Sequence, residues 1–228
     1  MSALTPEELG SMPLFACLPV EQLTLLLDRH RVISHQLDQV IVMEQDWGES
    51  LFLIRDGLAK VRTYTADGDE VIMSLLGPGD VFGEMAALDG ATRSADVVAL
   101  TPLNLIKMRS APFASLLGQL APFALGLARL EASRLRDLNQ RFALQSADAT
   151  TRVLDALAYL ARKSSGGEDL QAELPPLAQR EIALLAGLAR ETASRTLSKL
   201  RTRGTISEQN GCLRLADLMP LRKRDLIP

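Results

Sequence analysis

An acidic and a basic side chain stand nine residues apart in the stretch "FGEMAALDGATRSAD", which runs from Phe82 to Asp96. Glu84 offers a carboxylate acceptor, and Arg93 offers a guanidinium fork that matches phosphate or carboxylate oxygens. Gly83 precedes the Glu, where the missing side chain allows the backbone to approach a ligand closely. These residues either neutralise each other as a structural ion pair or together face a ligand that needs both an acceptor and a cation.

A second candidate site lies near the C-terminus, in "LAQREIALLAGLARETASRTLSKLRTRGTISEQNGCLRL". The apolar spacing predicts a short helix over 178–185 and a second one over 189–201. Gly187, between them, supplies the positive φ of a tight turn. Two short helices joined by a turn that contains Gly form a helix-turn-helix. The inward positions predicted for the second helix are Ala193, Leu197 and Leu200.

The outer side of that second helix is polar. Its predicted DNA contacts are Arg190, Glu191, Thr192, Ser194, Arg195, Ser198 and Lys199. Arg pairs with guanine in the major groove and Glu accepts from cytosine N4, so an acidic residue on a basic helix indicates base reading. The side chains expected to hold phosphates and set the register are Thr192, Ser194, Ser198 and Lys199.

A hairpin is predicted directly after the second helix. Segments 205–208 and 212–215 flank Asn210-Gly211, which is a strong two-residue hairpin signal. The hairpin would make the helix-turn-helix a winged one.

The charge of the chain is unevenly distributed. Residues 1–150 hold 12 Lys/Arg and 19 Asp/Glu, a net charge of −7, whereas residues 151–228 hold 13 and 9, a net charge of +4. An acidic first part and a basic last part indicate that the C-terminal segment meets a polyanion.

The elements that must position the first site are predicted to be strands. From about residue 32 to 108, short apolar runs are broken by turn signals such as Asp56-Gly57, about every ten residues. This pattern favours a small antiparallel sandwich or barrel. A short amphipathic helix is predicted before it, over 19–31.

A long helix is predicted after the strands, with Pro122 in its first turn. Its apolar stripe consists of Leu127, Leu130, Leu135, Leu138 and Phe142. Such a stripe packs either on its own domain or on a twin helix, and we expect the seam of a homodimer. The loop-like segment 164–176 then separates this block from the C-terminal motif.

Both ends together resemble the CRP/FNR family of bacterial transcription regulators, over about residues 12–216. "ARETASR" (189–195) is similar to that family's recognition-helix motif, Ser-Arg-Glu-Thr-Val-x-Arg, and Arg190, Glu191 and Arg195 match its three base-reading positions. The resemblance implies a GTGA-type half-site, bound as an inverted repeat in double-stranded DNA by a homodimer that also contacts RNA polymerase.

"FGEMAALDGATRSAD" resembles the phosphate-binding cassette of cyclic-nucleotide-binding domains. The resemblance implies that Glu84 bonds the ribose 2′-hydroxyl and that Arg93 pairs with the cyclic phosphate. Further donors would come from Ser94 and from the backbone amides of Gly83, Glu84, Met85 and Ala86. The implied effector is a cyclic nucleotide, with cAMP expected, and no obligatory cofactor is predicted.

The base contact is where the sequence departs from the family. Members that bind cAMP place a Thr-Ser pair on the long helix, but the matching region here reads "RLRDLNQ". One alignment places Asp137-Leu138 there and another places Leu138-Asn139. The ligand therefore stays open between cAMP, cGMP, another phosphorylated ribose and none, the last being a regulator with a vestigial pocket.

The predicted fold class is α+β. We expect a β-roll or jelly-roll cyclic-nucleotide-binding domain over 1–120, a dimerisation helix over 121–146 and a winged helix-turn-helix domain over 147–228. No metal-ligand cluster, P-loop or nucleophile–base pair is visible, which favours a regulator over an enzyme. No apolar run is long enough to span a membrane, and no signal peptide is visible. Cys17 and Cys212 are expected to be reduced, buried thiols of a cytoplasmic protein.

Overall fold

Eight strands form two antiparallel four-stranded sheets in the first half of the chain. The computed structural model describes residues 3–167 and 169–228. The strands are β1 (Arg31–His35), β2 (Val40–Val42), β3 (Ser50–Asp56), β4 (Ala59–Tyr64), β5 (Glu70–Leu76), β6 (Val81–Phe82), β7 (Asp96–Ala99) and β8 (Leu103–Arg109). One sheet has the order β1-β8-β3-β6 and the other the order β2-β7-β4-β5. The predicted antiparallel sandwich is confirmed.

The two sheets face each other across an apolar core. Phe52 of β3 stacks on Phe82 of β6, with ring centroids 4.9 Å apart and planes 11° from parallel. Ile54 and Leu105 from this sheet meet Val97 from the other, and all three side chains are buried. Side chains alternate between the two faces of each strand, so one face of each sheet fills this core.

The helices before and after the sandwich pack against one another. They are α1 (Pro6–Gly10), α2 (Val20–Leu26), α4 (Ser110–Gln119) and α5 (Ala121–Ala143). Phe113 of α4 meets Phe123 of α5 edge to face at 5.2 Å, and Phe15 lies 6.0 Å from Phe123. The predicted helix over 19–31 is wrong at its C-terminal end. Arg29 adopts φ +58°, which stops the helix before β1 begins.

Helix α5 has 23 residues and is about 35 Å long at 1.5 Å per residue. Phe123 and Leu127 are buried against the sensor half of the chain. Farther along, Leu135 and Phe142 are 58% and 70% exposed. The helix therefore packs on its own domain at its beginning and leaves an apolar stripe uncovered toward its end.

The C-terminal part contains helices and a two-stranded hairpin. Its elements are α6 (Ala149–Ser164), α7 (Gln179–Leu185), α8 (Arg190–Thr202), β9 (Ile206–Gln209), β10 (Cys212–Leu215) and α9 (Met219–Arg222). The loop predicted over 164–176 contains residue 168, which lies outside the described residues. Ser164 still belongs to α6, and the described residues from 165 to 176 form neither helix nor strand, so the loop begins one residue later than predicted.

Helix α6 is shared between the two halves of the molecule. Leu154 and Leu157 are fully buried and belong to one continuous core with Ile72 and Leu75 of β5. The Tyr159 hydroxyl accepts a hydrogen bond from the Leu75 amide at 3.1 Å. The outer face of the β2-β7-β4-β5 sheet is therefore covered by the C-terminal part.

Within the described residues, no single helix is long and apolar enough to cross a membrane. Helix α4 and the helix that follows it meet the requirement only as a pair, and their axes differ by 111°.

Candidate nucleotide-binding site and nucleic-acid interface

A short helix, α3 (Glu84–Asp89), interrupts the sandwich between β6 and β7. Gly83 begins it with φ +83°, a conformation that only glycine adopts without strain. A Cβ at Gly83 would lie 2.6 Å from Arg93 Nη1 and 3.0 Å from the Ser50 carbonyl oxygen. Glycine is thus required here both by the turn and by the guanidinium that lies against it.

The Arg93 guanidinium is buried and bonded to backbone carbonyls. Nη1 donates to the Gly83 oxygen at 2.9 Å, and Nη2 donates to the Ser50 oxygen at 2.6 Å. The residue is 7% exposed, and burial lowers the pKa of its guanidinium, an effect that the Glu84 charge opposes. In the described part of the chain no carboxylate forms an ion pair with it. The expected alternative of a Glu84–Arg93 ion pair is therefore not what the structure shows.

The backbone around Arg93 is held as firmly as its side chain. The Arg93 amide donates to the Asp46 carbonyl at 2.9 Å, and the Gln45 amide donates to the Arg93 carbonyl at 2.8 Å. A Cβ at Gly48 would lie 2.5 Å from Arg93 Nη2, so the loop passes directly over the guanidinium. Both the backbone and the side chain of Arg93 are thus held by neighbouring backbone groups.

Glu84 pairs instead with Arg134 on α5, fifty residues away. Arg134 Nη1 lies 3.1 Å from Glu84 Oε1 and 2.8 Å from Glu131 Oε1, and Arg134 also donates to the Val81 carbonyl. Glu84 is 4% exposed, and its burial raises the pKa of the carboxyl, which Arg134 partly counters. Its second oxygen, Oε2, is buried with no hydrogen-bond partner. One acceptor thus stays available beside the cation.

Glu84 and Arg93 line the same cavity, which has a volume of about 170 Å³. The other lining residues are Val42, Val61, Ser74, Leu76, Phe82, Gly83, Met85, Ala86, Ser94, Ala95, Val97, Glu131 and Arg134. Most of these lining residues are apolar, and the charged ones are Glu84, Arg93, Glu131 and Arg134. That combination suits a ligand with one flat apolar part and one charged, hydroxylated part.

The structure brings together all six residues predicted on the cassette but none of the three predicted on the long helix. Asp137, Leu138 and Asn139 do not line the cavity in this chain. Leu138 instead borders a separate cleft between the end of α5, β5 and the helix-turn-helix. The α5 residues at the cavity are Glu131 and Arg134, about one turn earlier, and they were not predicted.

The helix-turn-helix is formed by α7, a turn at 186–189 and α8. Gly187 adopts φ +61°, and the Leu188 amide donates to the Ala183 carbonyl at 2.9 Å. Ala183 and Ala193 are both buried and allow the two helices to pack closely. The Arg152 side chain donates to the Ala186 and Gly187 carbonyls, which fixes the turn from α6.

The predicted DNA contacts all lie on the face of α8 that points away from its core. Ala193, Leu197 and Leu200 are buried as predicted. The exposed residues on the opposite face are Arg190, Glu191, Arg195, Ser198 and Lys199, while Thr192 and Ser194 are half-buried. The predicted helix starts were early by one residue, because Ala178 and Ala189 are the caps rather than the first helical residues.

The predicted wing is present as β9 and β10. Cys212 pairs with Gln209 across the turn, and Asn210 and Gly211 adopt φ +51° and +79°. Two consecutive positive φ values are typical of a two-residue hairpin of type I′. The strand before the turn begins at Ile206, one residue later than predicted.

Comparison with known proteins identifies a domain family for each of the two regions. A model of the cyclic nucleotide-binding domain matches residues 32–119, and a model of the Crp-like helix-turn-helix domain matches residues 151–224. A cyclic AMP receptor protein from Thermus thermophilus is 34% identical over 195 residues, which is 85% of this chain and 88% of the relative. The chain belongs to the CRP/FNR family of transcription regulators.

Two further proteins match over similar lengths. A CRP-like cAMP-activated global transcriptional regulator from Mycobacterium tuberculosis is 28% identical over 81% of this chain and 83% of its own. The solved structure of FixK2 from Bradyrhizobium japonicum superposes with a TM-score of 0.74 at 23% identity, over 85% of this chain and 96% of that one. This last likeness shows the fold alone.

The two glycines that bound α3 provide a test of the crowding around Arg93. Gly83 and Gly90 both have positive φ, but a Cβ at Gly90 would meet nothing within 4 Å. We expect Gly90→Ala to lower the free energy of unfolding by about 1 kcal/mol through backbone strain. Gly83→Ala carries the same strain plus the clash with the guanidinium, so we expect about 1–2 kcal/mol more.

Denaturant unfolding of the two variants, monitored by circular dichroism, measures the difference. Equal losses would mean that Arg93 moves aside without cost and that the guanidinium is not firmly held.

Proposed function

We propose that this chain is a homodimeric, sequence-specific DNA-binding regulator of transcription that is controlled by a cyclic nucleotide, with cAMP as the effector. Arg93 would hold the cyclic phosphate and Glu84 the ribose 2′-hydroxyl. The proposal keeps the expected boundaries of 1–120 for the sensor domain, 121–146 for the dimerisation helix and 147–228 for the DNA-binding domain. The two family models fall within the first and last of these.

The observation that carries the ligand proposal is the unneutralised Arg93. Moving a charged group out of water costs several kcal/mol unless an opposite charge or good hydrogen bonds compensate it. Two carbonyls compensate Arg93 in part, and Glu84 is engaged by Arg134 rather than by Arg93. A bound phosphate would complete the shell of the guanidinium with two charge-assisted hydrogen bonds.

The free oxygen of Glu84 supports a ribose rather than a bare phosphate. Glu84 Oε2 is buried and accepts nothing, which is the state expected of an acceptor reserved for a ligand hydroxyl. Ser94 lies exposed at the cavity and is within 3.6 Å of the Met85 sulfur, a weak contact that a phosphate oxygen could replace.

The choice of cAMP rests on the relatives rather than on a base contact. The Thermus thermophilus relative is named a cyclic AMP receptor protein and the Mycobacterium tuberculosis one is named cAMP-activated. In this chain the α5 groups that reach the cavity are Glu131 and Arg134. We propose that Asp137, Leu138 or Asn139 contributes to base recognition only once a second subunit packs along α5.

The exposed stripe of α5 supports the homodimer. Leu135 and Phe142 are seven residues apart, with Leu138 between them, and both are more than half exposed. A spacing of three and four residues is that of a two-stranded coiled coil. A homodimer would place two recognition helices about one turn of DNA apart on an inverted repeat. We further propose that the DNA-bound dimer contacts RNA polymerase and has no catalytic activity of its own.

Replacing Arg93 tests the phosphate assignment. We expect Arg93→Ala to weaken cAMP binding at least 100-fold, because two charge-assisted hydrogen bonds of about 1.5–3 kcal/mol each are lost. Titration calorimetry with cAMP, cGMP and a cyclic dinucleotide measures this. The matched control is Arg129→Ala, since Arg129 is exposed on α5 and does not line the cavity.

Two outcomes would contradict the ligand proposal. If Arg93→Ala bound cAMP as well as Arg129→Ala did, Arg93 would not hold the phosphate. If the unaltered protein bound none of the three nucleotides, the pocket would be vestigial and the regulator independent of them.

Arg190 and Lys199 on α8 are expected to contribute differently to DNA binding. Arg190→Ala should cost about 1–3 kcal/mol on a GTGA-type inverted repeat and relax the preference at one base pair per half-site. Lys199→Ala should weaken binding equally on all sequences and reduce the salt slope by about one. Fluorescence anisotropy with matched and singly substituted duplexes at several salt concentrations distinguishes them. A uniform loss for Arg190→Ala would make it a phosphate contact.

A further inference from the structure

A lysine is completely buried at the junction between the sensor sheet and the helix-turn-helix. Lys60 lies on β4 and is 1% exposed. Its Nζ is 2.7 Å from Glu70 Oε1 on β5 and 2.7 Å from Glu181 Oε2 on α7. The contact to Glu181 is a hydrogen bond, whereas the contact to Glu70 is an ion pair outside hydrogen-bond geometry. One amine thus joins two carboxylates from the two halves of the molecule.

A buried cation of this kind keeps both partners in place. Removing one partner of a buried ion pair is strongly destabilising, because the other charge then stays in a poorly solvated site. The side chains of Glu70 and Glu181 are 7% and 10% exposed, so water cannot easily solvate their charges. Glu70 also pairs with Arg180 of α7 at 2.9 Å, whereas among the described residues Glu181 pairs with Lys60 alone. If the helix-turn-helix moved away from the sensor sheet, these charges would lose their partners or become exposed.

The buried lysine is also one end of a chain of charges that leads back to the cavity. Glu70 Oε2 lies 3.6 Å from Arg62 Nη1, and Arg62 Nε lies 3.3 Å from Asp96 Oδ2. Asp96 begins β7, three residues after Arg93. Lys60 and Arg62 are two residues apart on β4 and so share one face of the sheet, while Val61 between them lines the cavity.

Helix α7 connects Glu181 to the recognition helix, α8. Ile182 and Ala183, next to Glu181, are buried within the helix-turn-helix. The turn after α7 is short and is fixed by Arg152, so the two helices move together. Glu181 is itself buried and points at the sensor domain rather than at DNA. Its effect on DNA binding must therefore be indirect.

We propose that Lys60, Glu70 and Glu181 form an interdomain latch that sets the orientation of the helix-turn-helix on the sensor domain. Glu181 is then a positioning residue for DNA binding, which rests on the proposed function. Without the latch, the helix-turn-helix would populate other orientations, and the apparent affinity for DNA would fall with the fraction of molecules in the competent one.

The experiment compares Glu181→Gln with Lys163→Gln in the full chain. Gln keeps the size of Glu181 and removes its charge. Lys163 on α6 also forms an interdomain ion pair, with Asp80 at 2.8 Å, and this pair lies outside the latch. Two quantities are measured: the affinity for a duplex carrying a GTGA-type inverted repeat, and the hydrogen exchange of the amides in β5 and α7.

We expect Glu181→Gln to weaken binding to the duplex at least tenfold, which is about 1.4 kcal/mol, with faster exchange in β5 and α7. The slope of log Kd against log salt should stay unchanged, because no phosphate contact is lost. Lys163→Gln should stay within twofold of the unaltered protein. The variant Lys60→Met combined with Glu181→Gln should bind about as weakly as the worse single variant, because the two residues act through one contact.

The latch is ruled out if Glu181→Gln matches Lys163→Gln in both affinity and exchange, or if the losses of Lys60→Met and Glu181→Gln simply add. All binding is measured with cAMP present; if the unaltered protein then fails to bind the duplex, the proposed function is wrong, and hydrogen exchange alone decides the latch. Thermal unfolding of each variant checks that the chain is folded under the conditions of the comparison.

Discussion

The burial of Arg93 is the constraint on which the sensor half depends. A guanidinium cannot lose its proton at any ordinary pH, so its charge must be compensated where it lies. The chain places two carbonyls against it and a loop over it, and requires glycine at positions 48 and 83 so that both can come close. Glu84 could have closed the site as an ion pair, but Arg134 draws one of its oxygens toward α5. In the proposed function, the phosphate of a bound nucleotide completes the compensation of Arg93.

The same arrangement connects the cavity to α5. Because Arg134 joins Glu84, Glu131 and the Val81 carbonyl, the cavity wall and the long helix are one hydrogen-bonded unit. A ligand that engages the free oxygen of Glu84 would change the charge that Arg134 meets. On the opposite face of the sensor, β5 shares its core with α6, and Lys60 joins it to α7. Both routes from the cavity to the DNA-binding part therefore run through buried charge pairs.

The features that could be predicted from the sequence are those that depend on neighbouring residues. The turn glycine, the cassette carboxylate and guanidinium, the buried positions of α8 and the Asn210-Gly211 turn all follow from residue type and spacing over fewer than fifteen residues. Helix ends were less certain, as the helix that stops before Arg29 shows.

Arg134 was missed because its partner lies fifty residues away and only the packing of α5 across the sandwich brings them together. Its one local signal was the Glu131–Arg134 spacing of a helical ion pair. The burial of Lys60 was missed for a similar reason. The alternation of side chains along a strand places Lys60 on the solvent side of the sheet, and only the packing of the C-terminal part covers it.

We propose that Arg93 and Glu84 together form the site for a ribose and its cyclic phosphate. The most direct test is calorimetry of the unaltered protein with cAMP, 2′-deoxy-cAMP and adenosine under one set of conditions. Loss of the 2′-hydroxyl should weaken binding about tenfold or more, because Glu84 Oε2 then stays unpaired, and adenosine should give no measurable heat. Equal binding of cAMP and adenosine would contradict the claim, because it would show that the buried guanidinium contributes nothing to ligand affinity.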